Sequence, residues 1–167
     1  MFYKEYLNSA RKHQYTCEEI LRCIKNTTVS NTQKQVKQKQ LILNLFYLSG
    51  YIIECSVKYG IYHLISYDRN TPVNQLKQDG LTYEDHIKKH KFDCYTEAFN
   101  RLKGGFKLID ERSNIDRDVV HIYRMWDAEV RYWYSNTDRK IIDKITLKNV
   151  ETFYNLATEL MKEIEGL

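Results

Sequence analysis

Between Leu41 and about Ile65 the apolar side chains recur so densely that they fix the role of the segment. One row reads Leu41, Leu45, Leu48, Ile52, Cys55, Tyr59, and a second reads Ile42, Phe46, Ile53, Val57, Ile61, Leu64. Such spacings put each row along one side of a helix. A helix that is apolar over most of its circumference is buried on most sides. The segment therefore predicts a central helix with others packed around it. Gly50 and Gly60 interrupt it, each at about 1 kcal/mol against alanine, and mark expected points of close helix contact.

The rest of the chain supplies partners for that helix. At 167 residues it is the size of one domain. Six Gly and one Pro are too few for a turn-rich sandwich, barrel or propeller. The 14 Tyr, 6 Phe and 2 Trp argue against disorder over most of the length. The expected fold is all-α, a single-domain bundle of about five helices. Residues 1–32 form an N-terminal helix and capping turn, and residues 33–167 the remaining bundle, together one compact unit. The first helix runs from about Phe2 to Ile24 on Tyr3, Tyr6, Leu7, Ala10, Cys17, Ile20, Leu21 and Ile24. It is broken by the stretch from Asn26 to Thr32, which is rich in capping and β-branched residues. The acid-free run QKQVKQKQ over residues 33–40 reads as the wet first turns of the central helix rather than a nucleic-acid tail. Residues 66–81 form a loop with the only Pro and an Asp79-Gly80 turn signal. A polar helix is expected over residues 84–102, ended by Gly104-Gly105. Another is expected from Asn114 or Ile115 to Trp133, and a last one from Thr146, as N-cap, to Ile164.

The formal net charge of +4 is mildly basic and does not by itself require a nucleic-acid partner. Cys17, Cys23, Cys55 and Cys94 form no CxxC pair, and free thiols in a reducing compartment are expected. The charged N-terminus lacks the apolar core of a signal peptide, and no uninterrupted apolar run approaches the length of a membrane span. The expectation is a soluble cytoplasmic protein. No GxxxxGK[ST], GxGxxG or HExxH motif is present. His86 and His90 have the i, i+4 spacing of paired metal ligands, but Lys88, Lys89 and Lys91 make their surroundings cationic. Neither a metal nor a cofactor is expected.

Two groups of residues could carry function. Tyr47, Tyr51, Glu54 and Lys58 form a polar stripe on the apolar helix, with Glu54 and Lys58 in the favoured order of an ion pair. The pair either caps a half-buried surface or orders a nearby loop, or else Glu54 holds a basic residue from another helix in position. On the helix expected to reach Trp133, Arg117, His121, Arg124 and Arg131 fall within an arc of about 80°. Val119, Ile122, Tyr123, Trp126, Val130 and Trp133 fall opposite. The basic ridge suits phosphate oxygens, because guanidinium forks grip them bidentately. It is equally suited to be a solvated face, or to pair with carboxylates inside a dimer.

The run Leu48-Ser49-Gly50-Tyr51-Ile52-Ile53-Glu54-Cys55-Ser56-Val57-Lys58 resembles the HEPN superfamily (higher eukaryotes and prokaryotes nucleotide-binding domain), many of whose bacterial members read GYxxExxxK here. Trp126-x-x-x-x-Arg131-Tyr132 and the closing amphipathic helix resemble it too, so that the likeness spans about residues 38 to 165. The resemblance implies a bundle of four or five helices, usually a two-fold homodimer, working in RNA metabolism: toxin–antitoxin pairs, phage defence or guide-RNA immunity. Active members cleave RNA without metal through an R-x(4–6)-H motif from each protomer. This chain departs there, since no Arg has a His five to seven positions after it; Arg117-x-x-x-His121 is one residue short. The residues that carry over are Glu54, Lys58, Trp126, Arg131 and Tyr132. The first expectation is an RNA- or partner-binding domain that is catalytically weak or silent, with a nucleotidyltransferase-like or other antitoxin or defence protein as possible partner. The rivals are a metal-independent endoribonuclease using His121 with Arg117 and Arg124, and a structural dimerisation module.

Overall fold

The central helix is α2, Thr32–Leu64. Leu45, Phe46, Ile52, Ile53, Val57, Ile61 and Tyr62 on it are fully buried. The computed structural model describes residues 1–26, 32–103, 106–133 and 139–167. The run QKQVKQKQ is helical and exposed or half-exposed, so it forms the wet opening turns of α2 as its composition predicts. The centre of the break after the first helix, residues 27–31, lies outside the described residues.

α1, Lys4–Asn26, packs along α2 through Tyr6, Leu7, Ala10, Cys17, Leu21 and Ile24. It runs antiparallel to α2, since Tyr3 meets Tyr59 and Tyr62 while Cys17 meets Ser49. The last helix, α6 (Leu147–Glu165), buries Val150, Phe153, Tyr154, Ala157, Leu160, Met161 and Ile164, and Thr146 caps it by accepting the Asn149 N–H. Ion pairs Arg11–Glu165 and Lys25–Glu151 tie the middle and the last turn of α1 to the last and the early turns of α6. By length and composition alone α2 could cross a membrane; here 56% of its most apolar stretch is buried, chiefly against α1 and α6.

Both glycines of α2 mark tight crossings. A methyl group on Gly60 would stand 2.7 Å from Phe99 Cε2 and 2.8 Å from Ile164 Cγ2. One on Gly50 would run into the Trp126 indole.

The loop after α2 is more structured than the sequence predicts. It holds a 3-10 turn, Val73–Gln75, and a two-stranded antiparallel hairpin of β1 (Lys77–Gln78) and β2 (Leu81–Thr82). Asp79 and Gly80 take φ values of 52° and 75°, the left-handed pair that closes a two-residue hairpin. The Tyr62 hydroxyl donates to the Val73 carbonyl at 2.7 Å and folds the loop back on α2.

Two expected helices are corrected. Residues 84–102 are not one helix but a single π-type turn, Tyr83–Ile87, and then α3, Phe92–Leu102, with the link 88–91 between them. That link is pinned from both sides: the Lys88 N–H donates to the Tyr83 carbonyl, and the Tyr95 hydroxyl donates to the Lys89 carbonyl. The expected terminator Gly104-Gly105 lies outside the described residues. The helix expected to reach Trp133 is α4, Arg117–Met125. Trp126 turns extended, with ψ 131°, and Asp127 caps a 3-10 turn over Ala128–Tyr132. The reason is packing. In this conformation the indole covers Gly50, stacks on Phe92 with centroids 4.7 Å apart, and donates its N–H to the Tyr47 carbonyl at 3.2 Å. A short α5, Arg139–Ile142, precedes α6.

Candidate functional site

One helical turn separates Glu54 from Lys58, and both side chains are nearly inaccessible, at 4% and 5% exposed. Neither charge could be buried alone without a large cost, and they meet at 2.9 Å. The Lys58 ammonium also sits 5.4 Å from the Tyr95 ring centroid and 5.7 Å from that of Tyr6. Burial raises both phenol pKa values above their usual range, so these rings stay neutral.

Glu54 has a second partner. His90 Nδ1 lies 3.0 Å from one carboxylate oxygen and 3.1 Å from the other. A carboxylate in an ion pair only accepts, so Nδ1 carries the hydrogen and donates. Nε2 is left on the ring's half-exposed edge. Of the two readings of the Glu54–Lys58 pair, the geometry joins them. The carboxylate orders a loop and holds a basic residue, although that residue comes from the 88–91 link and not from a helix.

His90 opens on a cleft of about 520 Å³. Lys89, Lys91 and Cys94 line it from the link and the start of α3, and Asp127, Ala128 and Glu129 from the 3-10 turn. Among the described residues no ion pair joins the two groups. Asp127 accepts the Glu129 N–H at 2.6 Å, which fixes its carboxylate at the start of the 3-10 turn.

His86 and His90 do not form the helical pair their spacing allows. His86 sits in the π-type turn, where Nδ1 accepts the Thr82 N–H at 3.1 Å, and His90 lies beyond that turn. No group of three or more His, Cys, Asp or Glu side chains among the described residues is placed to hold a metal ion.

The basic ridge is only partly preserved. α4 buries Val119, Ile122 and Tyr123 and carries Arg117, His121 and Arg124 on its other side, with both arginines exposed and His121 half-buried. Arg124 Nε donates to Asp110 Oδ2 at 3.3 Å. Arg131 leaves this helix because the chain breaks at Trp126, and its guanidinium lies 4.7 Å from the Tyr132 ring centroid. Tyr132 is 72% exposed, so the pair is presented to solvent. Beneath it Trp126 meets Tyr51 edge-on at 5.2 Å, and Tyr51 meets Tyr47 at 4.9 Å. These aromatic contacts join the Arg131–Tyr132 turn to the polar stripe of α2.

His13 of α1 is a further member that sequence reasoning missed. Its ring stands 5.5 Å from Tyr51. Burial, and then Lys12, lower its pKa, with Glu54 opposing them. Comparison with protein-family models, curated proteins and solved structures returns no match for this chain.

Proposed function

We propose that this chain is a HEPN-like helical module that binds single-stranded RNA and is catalytically weak or silent. The observation that carries the reading is the solvent-exposed Arg131–Tyr132 pair, which follows the arginines of α4 in the chain. An exposed aromatic ring offers a stacking platform for a base, and arginines supply phosphate contacts. The resemblance at Leu48–Lys58 and Trp126–Tyr132 supports the wider setting: a cytoplasmic homodimer in a toxin–antitoxin or phage-defence system, with a nucleotidyltransferase-like partner. The test is fluorescence anisotropy with a labelled single-stranded RNA dodecamer. Arg117→Ala, Arg124→Ala and Tyr132→Ala each weaken binding, and wild-type binding that none of them changes overturns the reading. Light scattering that returns only the 20.1 kDa chain mass at high concentration removes the dimer.

A second reading is favoured by the Glu54–His90 contact. A carboxylate that orients an imidazole is the arrangement a general base requires, which supports a metal-independent endoribonuclease. Incubation of single-stranded RNA with the protein in EDTA decides it. Cleavage lost in His90→Ala supports that centre, cleavage lost in His121→Ala supports an α4 site with Arg117, and no cleavage leaves the binding module.

A further inference from the structure

We infer that the cleft at His90 is a ribonucleotide subsite, with His90 reading the 2′-hydroxyl and Glu129 reading an amino group on the base. The inference rests on the RNA-binding reading and assigns it a substrate class.

The argument starts from hydrogen-bond roles. Because Nδ1–H is committed to Glu54, Nε2 is the ring nitrogen left for a ligand in the cleft, and in the neutral ring it is an acceptor. A phosphate diester oxygen has no hydrogen to give it, whereas a ribose 2′-hydroxyl does. That hydroxyl is also what separates RNA from DNA at a given position. The buried ion pair with Lys58 keeps the Glu54 carboxylate in place, so the acceptor is pre-oriented before any ligand arrives.

Charge around the histidine sets what the ligand must carry. Lys89 and Lys91 of the 88–91 link bring cations suited to a phosphate, and Asp127 and Glu129 of the 3-10 turn bring acceptors only. Among the described residues no ion pair joins these cations to these carboxylates, so a ligand that carries both an anion and N–H donors satisfies both sets. A nucleotide has that form. Carboxylates accept from the exocyclic amine of cytosine, where uracil presents a carbonyl oxygen instead. A volume of about 520 Å³ is within the range of small-ligand sites.

The test uses the full chain and 5′-labelled octamers of ribocytidine, ribouridine and deoxycytidine, read by anisotropy in EDTA. Ribocytidine should bind about tenfold tighter than deoxycytidine, the worth of one hydrogen bond. His90→Ala should abolish that ratio while leaving the preference for cytosine over uracil. Glu129→Gln should abolish the base preference while leaving the sugar preference. Glu129 is exposed and the His90 ring half-exposed, and far-ultraviolet circular dichroism checks that both variants keep the fold. If ribo- and deoxycytidine bind equally, or if the ratios survive both variants, the subsite is wrong even where Arg124→Ala still weakens binding. If no octamer binds at all, the RNA reading itself fails and the subsite with it.

Discussion

Glu54 and His90 stand 36 residues apart in the chain and meet through two contacts of 3.0 and 3.1 Å between Nδ1 and the carboxylate oxygens. Through them a buried charge on the central helix fixes the loop that begins α3. Lys58 balances the carboxylate from below, so three residues of two segments depend on one another.

That dependence is measurable. Glu54→Gln leaves the Lys58 ammonium buried without a counter-charge, which costs about 3–5 kcal/mol. Replacing both partners, as Glu54→Leu with Lys58→Met, removes both buried charges and is expected to lose less than either single variant. Urea unfolding of the three proteins checks the order. A double variant less stable than both singles would show that the pair itself, and not the avoidance of a lone charge, supports the fold.

Gly50→Ala tests the crossing of α2 with the Trp126 turn. The added methyl meets the indole, so the ring must leave its place over Gly50. Overpacking of this kind costs about 1–3 kcal/mol. The expected result is a lower melting temperature with tryptophan emission shifted to longer wavelength. Unchanged emission and stability would mean that Trp126 does not sit there.

Burial, and then Lys12, hold the His13 pKa below its usual 6.5 in the folded protein, with Glu54 opposing. The unfolded chain therefore binds more protons just below pH 6.5, and stability falls as pH drops from there to the lowered folded value. His13→Gln should flatten the dependence between neutrality and about pH 5, as followed by thermal melts. An unchanged slope would place His13 in water.

Burial pushes the thiols of Cys17 and Cys55 up to about 12. Cys23 is exposed and Cys94 half-exposed. In native buffer near pH 8, a chromogenic disulfide reagent should titrate two thiols rapidly, and all four after denaturation. Fast reaction of Cys17 or Cys55 would contradict the packing of α1 on α2.

The three long helices were legible because each has its own signal: apolar rows for α2, helical periodicity for α1, and the Thr146 cap with its amphipathic run for α6. The Glu54–Lys58 pair was legible for the same reason, since i, i+4 contacts are local. The end of α4 was not. Val130 and Trp133 keep the helical period across Trp126, and only Asp127, a residue suited to capping, marks a new start. What breaks the helix there is the fit of the Trp126 indole over Gly50, 76 residues away in the chain and invisible to any local pattern. His90 was misread for a related reason. Its spacing from His86 presumed a helix that the distant Glu54 carboxylate and the Tyr95 hydroxyl replace with a pinned link.

RNA binding is tested most directly by its salt dependence. A single-stranded RNA dodecamer is titrated with the full chain between about 50 and about 200 mM salt, and the logarithm of the association constant is plotted against log salt. Contacts from Arg117, Arg124 and Arg131 at about 0.7 each predict that affinity falls with a slope near −2. Arg124→Ala should make the slope shallower, whereas Tyr132→Ala should weaken binding and keep it. No binding at the lowest salt, or an affinity that salt does not change, would contradict the account.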